Sequence, residues 1–252
     1  MVPSPSWLAA PAPAGRERAF EVPVRSLGTA VPVWTWAPAD AEDDEPLPLL
    51  VAHDGPEYAE RADLIRYLSA GVSGKWLPRL RAALVAPAFP HRDRWYSAST
   101  RYTNALAHVV LPAVEARLAV SARAGMGASL GALAMLHAHC RYPALFDGLF
   151  LQSGSFFTEL DRSRMPHYAY YRRIATFVAG VRDGGLPERK VPIVLTCGVI
   201  EENIGNNRLM TAAMQAQGYR ATLHETPGAH DFPAWRDAFD PPLAGLLGRL
   251  CS

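Results

Sequence analysis

Ser129 lies in Gly127-Ala128-Ser129-Leu130-Gly131, a Gly-x-Ser-x-Gly pattern set between two different patterns of residues. Residues 118–124 are mostly apolar and read as a buried strand, and residues 130–139 are rich in Ala and Leu and read as a helix. A serine on so tight a strand-to-helix turn has its hydroxyl pushed out over the carboxyl end of a sheet. The backbone N–H groups at the head of the new helix then face any oxyanion that forms there. The alternative is a Gly/Ala-rich helix start packed on a sheet, with Ser129 serving as a cap. A serine hydroxyl needs a base within hydrogen-bond reach to become a nucleophile. When a strand-turn-helix carries the nucleophile, the expected chain order is Ser, acid, His, each at the end of a strand. The last strand-like run opens into Pro227-Gly228-Ala229-His230-Asp231, which gives His230 the order and place of the base. The preceding run ends in Cys197-Gly198-Val199-Ile200-Glu201-Glu202, so two adjacent carboxylates occupy the loop where the acid belongs. Glu201 is the choice for orienting the imidazole, and Glu202 is left to cap the helix that follows. The N–H of Leu130 is the first oxyanion donor, and the second falls to Gly55 or Glu57, because Pro56 between them has no N–H.

These residues need a sheet to hold them. Strand-like runs fall at 20–26, 31–37, 47–52, 82–86, 118–124, 148–151, 191–197 and 220–226. Helical patterns fall at 59–69, 103–118 (with Pro112 kinking or splitting it), 130–139, 206–217 and 235–250, the last interrupted at Pro241-Pro242. Strands separated by helices predict an α/β fold with a mostly parallel central sheet and helices on both faces. The chain then divides into a poorly ordered extension (1–18) and one domain (19–252). The acidic loop 38–45 reads as solvated. Residues 156–190 break the alternation with a run of Phe, Tyr and Arg. Ile174, Phe177, Val178 and Val181 at helical spacing should dock on the body. The remainder is a lid over the site or a solvated insertion.

Composition narrows the partners. At 252 residues and 49% hydrophobic content the chain can bury a large core, and a net charge of +1 gives no reason to expect nucleic acid. No stretch approaches a membrane span, and 1–15 lack the pattern of a signal peptide, so a cytoplasmic location and no membrane partner are expected. Cys140, Cys197 and Cys251 have no metal-ligand spacing, and no phosphate-binding glycine loop appears, so neither metal nor cofactor is expected.

Four blocks of residues resemble the esterase D-like α/β-hydrolases, above all their enterochelin (ferric siderophore) esterase-type branch, in a short single-domain form. They are His53-Asp54-Gly55-Pro56-Glu57-Tyr58; Arg92-Asp93-Arg94-Trp95-Tyr96-Ser97; Gly127 to Gly131 with Gln152-Ser153-Gly154-Ser155; and Gly228-Ala229-His230-Asp231 with Trp235-Arg236. The resemblance implies an α/β-hydrolase fold and a triad of Ser129, Glu201 and His230. It also implies an Asp-Gly loop serving the oxyanion, although here Pro56 follows that glycine. His53, Asp54, Tyr58, Tyr96, Ser155 and Trp235 are the residues expected around the pocket. The expected reaction is hydrolysis of a small-molecule ester through an acyl-enzyme. The same machinery passing the acyl group to an alcohol, or a non-catalytic binding protein on this scaffold, are the alternatives. The Tyr- and Arg-rich insertion would suit an anionic catecholate ester or some other acyl group.

Overall fold

The computed structural model describes residues 4–163 and 167–251. Eight strands form one sheet: β1 (Arg16–Val24), β2 (Thr29–Ala37), β3 (Leu47–His53), β4 (Arg81–Val85), β5 (Val120–Ala128), β6 (Gly148–Gln152), β7 (Ile193–Gly198) and β8 (Ala221–Thr226). Their order is β1-β2-β4-β3-β5-β6-β7-β8. Only the β1/β2 and β2/β4 pairs are antiparallel, and the rest of the sheet is parallel. This is the mostly parallel α/β-hydrolase sheet that the sequence predicts.

The helices are α1 (Gly55–Arg61), α2 (Leu64–Ser73), α3 (Arg92–Tyr96), α4 (Thr100–Ala105), α5 (Leu111–Glu115), α6 (Leu130–Arg141), α7 (Tyr171–Arg182), α8 (Ile204–Ala216), α9 (Phe232–Asp237) and α10 (Pro242–Gly248). Alternation along the central strands sorts side chains into two cores, because successive Cβ atoms leave opposite faces. Leu49, Val51, Ala83 and Val85 join one core with Tyr102 of α4, Leu133 of α6, Ile174 of α7 and Met210 of α8. Leu50, Ala52, Ala82 and Leu84 join the other with Tyr58 of α1, Leu68 of α2, Trp235 of α9 and Leu243 of α10. Every residue of β3, β4, β6 and β7 is buried, as a sheet covered on both faces requires.

Several local expectations differ from the structure. The helix expected over 59–69 is two helices, broken where Asp63 takes φ 50°. The one expected over 103–118 begins at Thr100 and passes Pro112 by opening into a π-helical turn at Leu106–Val110. Where a poorly ordered extension is expected, Trp7 is buried edge-on against Tyr67, and β1 begins at Arg16. The acidic loop 38–45 is bound as well as solvated. Arg79 holds Asp40 at 2.9 Å and Glu45 at 3.1 Å, Arg18 holds Asp43 at 2.7 Å, and the fully buried Arg81 donates to the carbonyls of Glu42, Glu45 and Ala119.

Three histidines are buried neutral. His53 contacts the Gly131 carbonyl at 3.3 Å and Tyr102 Oη at 2.9 Å, His137 meets Thr103 Oγ1 at 2.8 Å, and His139 meets Tyr219 Oη at 2.9 Å. Burial pushes His53 down to about 3 and His137 and His139 each down to about 4. Below its ordinary value near 6.5 each takes up a proton in the unfolded chain but not in the folded one. Stability therefore rises with pH across that window and is lost toward acid. Each should cost the fold about 2 kcal/mol between pH 8 and pH 5. Urea midpoints measured over that range should fall toward acid, with a shallower slope in His137→Gln; equal slopes would contradict the assignment.

Candidate active site

Three neighbouring parallel strands end in a non-glycine residue at positive φ. Asp54 (φ 50°) follows β3, Ser129 (φ 55°, ψ −120°) follows β5, and Ser153 (φ 48°) follows β6. Such conformations cost roughly 1–3 kcal/mol each and persist only where surrounding contacts over-determine them. Here the contacts are visible. The Ser129 N–H donates to the Gln152 carbonyl at 2.9 Å, and the Ser129 carbonyl accepts from Ser155 N–H at 3.1 Å and Leu133 N–H at 3.2 Å. Gly127 permits the turn, since a Cβ there would stand 2.6 Å from the carbonyl carbon of Gly131 in the first turn of α6. Gly127→Ala should lower stability by about 1–3 kcal/mol and displace Ser129. A melting temperature within a degree of the parent would show that the turn tolerates a Cβ.

Ser129, Ser155, Glu201 and His230 line one cavity of about 280 Å³, together with Phe157, Asp161, Glu202, Asn203 and Asn206. Ser129 Oγ lies 3.0 Å from Ser155 Oγ. Nδ1 of His230 is 2.6 Å from Glu201 Oε2. The other oxygen of Glu201 accepts from the Gly198 N–H and from Ser153 Oγ–H, both at 2.7 Å. Ser153 is oriented in turn by the indole N–H of Trp235, donated at 2.9 Å, and the Trp235 ring stands edge-on to His230 at 5.2 Å. Burial pulls the Glu201 carboxyl upward, but the hydrogen bonds from His230, Ser153 and Gly198 prevail and hold it below its ordinary range. Burial pushes the neighbouring Cys197 thiol up to about 12, which keeps it protonated and a poor nucleophile.

The expected pocket residues separate into lining and support. Ser155 lines the cavity. His53, Tyr58 and Tyr96 are fully buried away from it, and Asp54 and Trp235 nearly so. Tyr58 Oη–H donates to Gln152 Oε1 at 2.8 Å, and Gln152 donates to Thr196 Oγ1 at 3.1 Å and the Trp235 carbonyl at 2.9 Å. Arg92 clamps both oxygens of Asp54 at 2.8 and 2.6 Å, while Tyr96 Oη accepts the Asp54 N–H at 3.4 Å. This clamp fixes the turn that leads into Gly55 and Glu57 at the head of α1. Gly55 itself presses on the backbone of Leu84, where a Cβ would collide. Leu130 opens α6 directly after Ser129, whereas Leu130, Gly55 and Glu57 are not among the cavity's lining residues.

Five residues of the site escape the sequence reading: Ser153, which links Trp235 to Glu201, and Phe157, Asp161, Asn203 and Asn206 in the wall. Ser153 stands inside the quoted Gln152-Ser153-Gly154-Ser155 block, so its neighbours were the available signal. Phe157 and Asp161 show that the insertion at 156–190 supplies one wall of the cavity. Its helix α7 docks through Ile174, Val178 and Val181, as the spacing predicts. None of its described arginines is among the residues that line the cavity at Ser129. Arg173 donates to the carbonyls of Ser97 and Arg94, Arg189 pairs with Asp147 at 2.6 Å, and among the described residues neither Lys nor Arg lines the cavity. Among the described residues no group of three His, Cys, Asp or Glu side chains is placed to hold a metal ion. No described helix is long and apolar enough to cross a membrane.

The family model for "Putative esterase" matches residues 25–246, most of the chain. The chain belongs to the esterase family. Solved structures share its fold. The enterobactin esterase of Shigella flexneri superposes with a TM-score of 0.82 at 21% identity, covering 100% of this chain and 64% of that one. The ferric enterobactin esterase of Salmonella typhimurium gives 0.80 at 23%, covering 100% and 63%. A ferulic acid esterase gives 0.78 at 18%, covering 94% and 98%. The chain thus spans less than two thirds of the enterobactin esterases and nearly the whole length of the ferulic acid esterase. Among proteins of curated function, none matches the chain by sequence.

Proposed function

We propose that this chain is a serine esterase that hydrolyses a carboxylic ester through an acyl-enzyme, with Ser129 as nucleophile, His230 as general base and Glu201 as its orienting acid. The observation that carries the reading is the 2.6 Å contact between His230 Nδ1 and Glu201 Oε2, at the edge of a cavity that Ser129 also lines. A carboxylate on Nδ1 holds that nitrogen protonated and leaves Nε2 as the atom that accepts the Ser129 proton. Ser129 Oγ then bonds to the ester carbonyl carbon, and the carbonyl oxygen becomes an oxyanion. The Leu130 N–H at the head of α6 is the first donor to it, and the turn clamped by Arg92 supplies the second from Gly55 or Glu57. Collapse breaks the bond to the alcohol, which leaves with the proton from His230. Water then attacks the acyl carbon, giving its proton to the same imidazole, and collapse breaks the bond to Ser129 Oγ, which takes that proton back as the acid leaves. Siderophore-type esters are one candidate substrate class; among the described residues no Lys or Arg lines the cavity beside Ser129.

The test is intact-mass spectrometry after treatment with a fluorophosphonate. One adduct on the native chain and none on Ser129→Ala is the expected result. An adduct on both would place the nucleophile elsewhere, and an adduct on neither would remove the serine mechanism.

A further inference from the structure

The cavity at Ser129 continues beyond its own walls. Asp161, Glu202 and Asn206 also line a second cavity of about 450 Å³, larger than the first. It runs between the Thr158–Asp161 segment and the facing sides of α7 and α8, with Ala175, Val178, Ala179 and Leu209 among its walls. Its size falls within the range of about 300–1,000 Å³ usual for small-molecule pockets.

The apolar groups there are not consumed by packing. Leu160 is 87% exposed and Leu209 47%. Beside Glu201, Val199 and Ile200 are 47% and 71% exposed. Half of the large apolar residues exposed among the described ones therefore lie beside the triad loop or in the adjoining cavity. Single exposed apolar residues need no explanation, but a group of them next to a reaction centre does. Among the described residues the charged groups of the second cavity are Glu159, Asp161 and Glu202 against Arg182, an excess of negative charge that opposes an anion.

We propose that this second cavity holds an uncharged apolar arm of the substrate, so that the site selects extended esters over short ones such as acetates. The proposal rests on the esterase reading above. The arm enters past Asn206, whose amide is held by Asp161 Oδ2 at 3.0 Å, and lies along Val178, Leu209 and Leu160. Asp161 is fixed for this role by the backbone and side chain of Thr158, at 2.7 and 2.9 Å. Leu160, Val178 and Leu209 are then specificity-determining residues that touch the remote part of the substrate and not the reacting atoms.

The experiment compares two ester series on the full chain: p-nitrophenyl esters of acids from acetate to decanoate, and acetates of alcohols of increasing length. Burial of each methylene should raise kcat/KM about three- to fourfold until the cavity is filled. The expected result is a rise of at least tenfold along one series in the native chain. Leu209→Asp, which places charge in the wall, and Ala179→Trp, which fills the cavity, should each flatten that rise. A flat response in both native series overturns the proposal, as does a rise that survives in both variants. Equal rates for a chain ending in a carboxylate and an alkyl chain of the same length overturn the uncharged arm. Absence of all ester turnover, together with absence of a fluorophosphonate adduct at Ser129, overturns the esterase reading itself. An adduct with flat series overturns only the arm.

Discussion

Ser129→Ala is expected to reduce kcat on a p-nitrophenyl ester by about 10⁴- to 10⁶-fold and leave KM within a few-fold. The size of the effect follows from what the variant retains. Alanine keeps the Ser129 backbone bonds to Gln152, Ser155 and Leu133, so the turn and the N–H of Leu130 remain in place. Only the attacking oxygen is lost. Residual catalysis would then come from the oxyanion donors and from binding. The side-chain hydrogen bond to Ser155 is the other contact removed, and Ser155→Ala separates the two. That variant should lose no more than about tenfold, because it removes a neighbour of the nucleophile and not the nucleophile. Steady-state kinetics and urea melts on the same preparations check both points. A Ser129→Ala variant retaining more than a tenth of native kcat would remove Ser129 from the mechanism.

Glu201→Gln should cost about 10³- to 10⁴-fold in kcat, and Glu202→Gln less than about threefold. Both oxygens of Glu201 act as acceptors: one for the Gly198 N–H and Ser153 hydroxyl, the other for His230 Nδ1. A glutamine amide has one acceptor oxygen. If that oxygen faces Gly198 and Ser153, its NH₂ faces His230 and demands the tautomer whose Nε2 already carries a proton. The imidazole can then no longer take the proton of Ser129. Glu202 lines both cavities and touches neither partner of this chain of bonds, so its neutral variant leaves the base intact. Comparing kcat for the two variants decides which adjacent carboxylate serves His230; equal losses would contradict the assignment. The same contacts make the contribution of Glu201 to stability depend on pH. Because the Glu201 carboxyl is held below its ordinary value of 4.5, the folded chain binds this proton less readily than the unfolded one. Its stabilisation is complete above that value and is lost as pH falls through the lowered one. Glu201→Gln should therefore be less stable than the parent near neutral pH, with the difference shrinking toward acid.

What could be read from the order of residues is what local physics enforces. Gly127 and Gly131 around Ser129 signalled a turn too tight for side chains, and a Cβ at Gly127 would indeed meet the first turn of α6. Continuous apolar runs such as 47–52 and 82–86 could only be strands covered on both faces, and they became β3 and β4. Alternation of such runs with helical patterns gave the sheet type, because parallel strands need crossovers. Helix ends were less legible, since Asp63 at positive φ and the π-helical turn before Pro112 arise from packing and not from propensity. The ordering of Trp7 against Tyr67 was equally hidden, because the partners are distant in the chain.

The site divides along the same line. That Ser129, Glu201 and His230 follow strand ends was legible, since each stands next to turn-forming residues, and the structure gathers all three around one cavity. Which residues line the cavity and which support it was decided only in three dimensions. His53, Tyr58 and Tyr96 carry polar atoms that suit a pocket, yet they are buried in hydrogen-bonded scaffolding, and Trp235 reaches His230 only as an edge-on ring. Ser153 acquired its place between Trp235 and Glu201 from contacts 82 and 48 residues away in sequence. The second cavity exists because the 159–161 turn folds back to bond Asn206, 45 residues from Asp161. Spacing along a chain encodes secondary structure and tight turns, where partners are a few residues apart. It does not encode which side chains meet across a cleft, because that depends on how whole helices pack on the sheet.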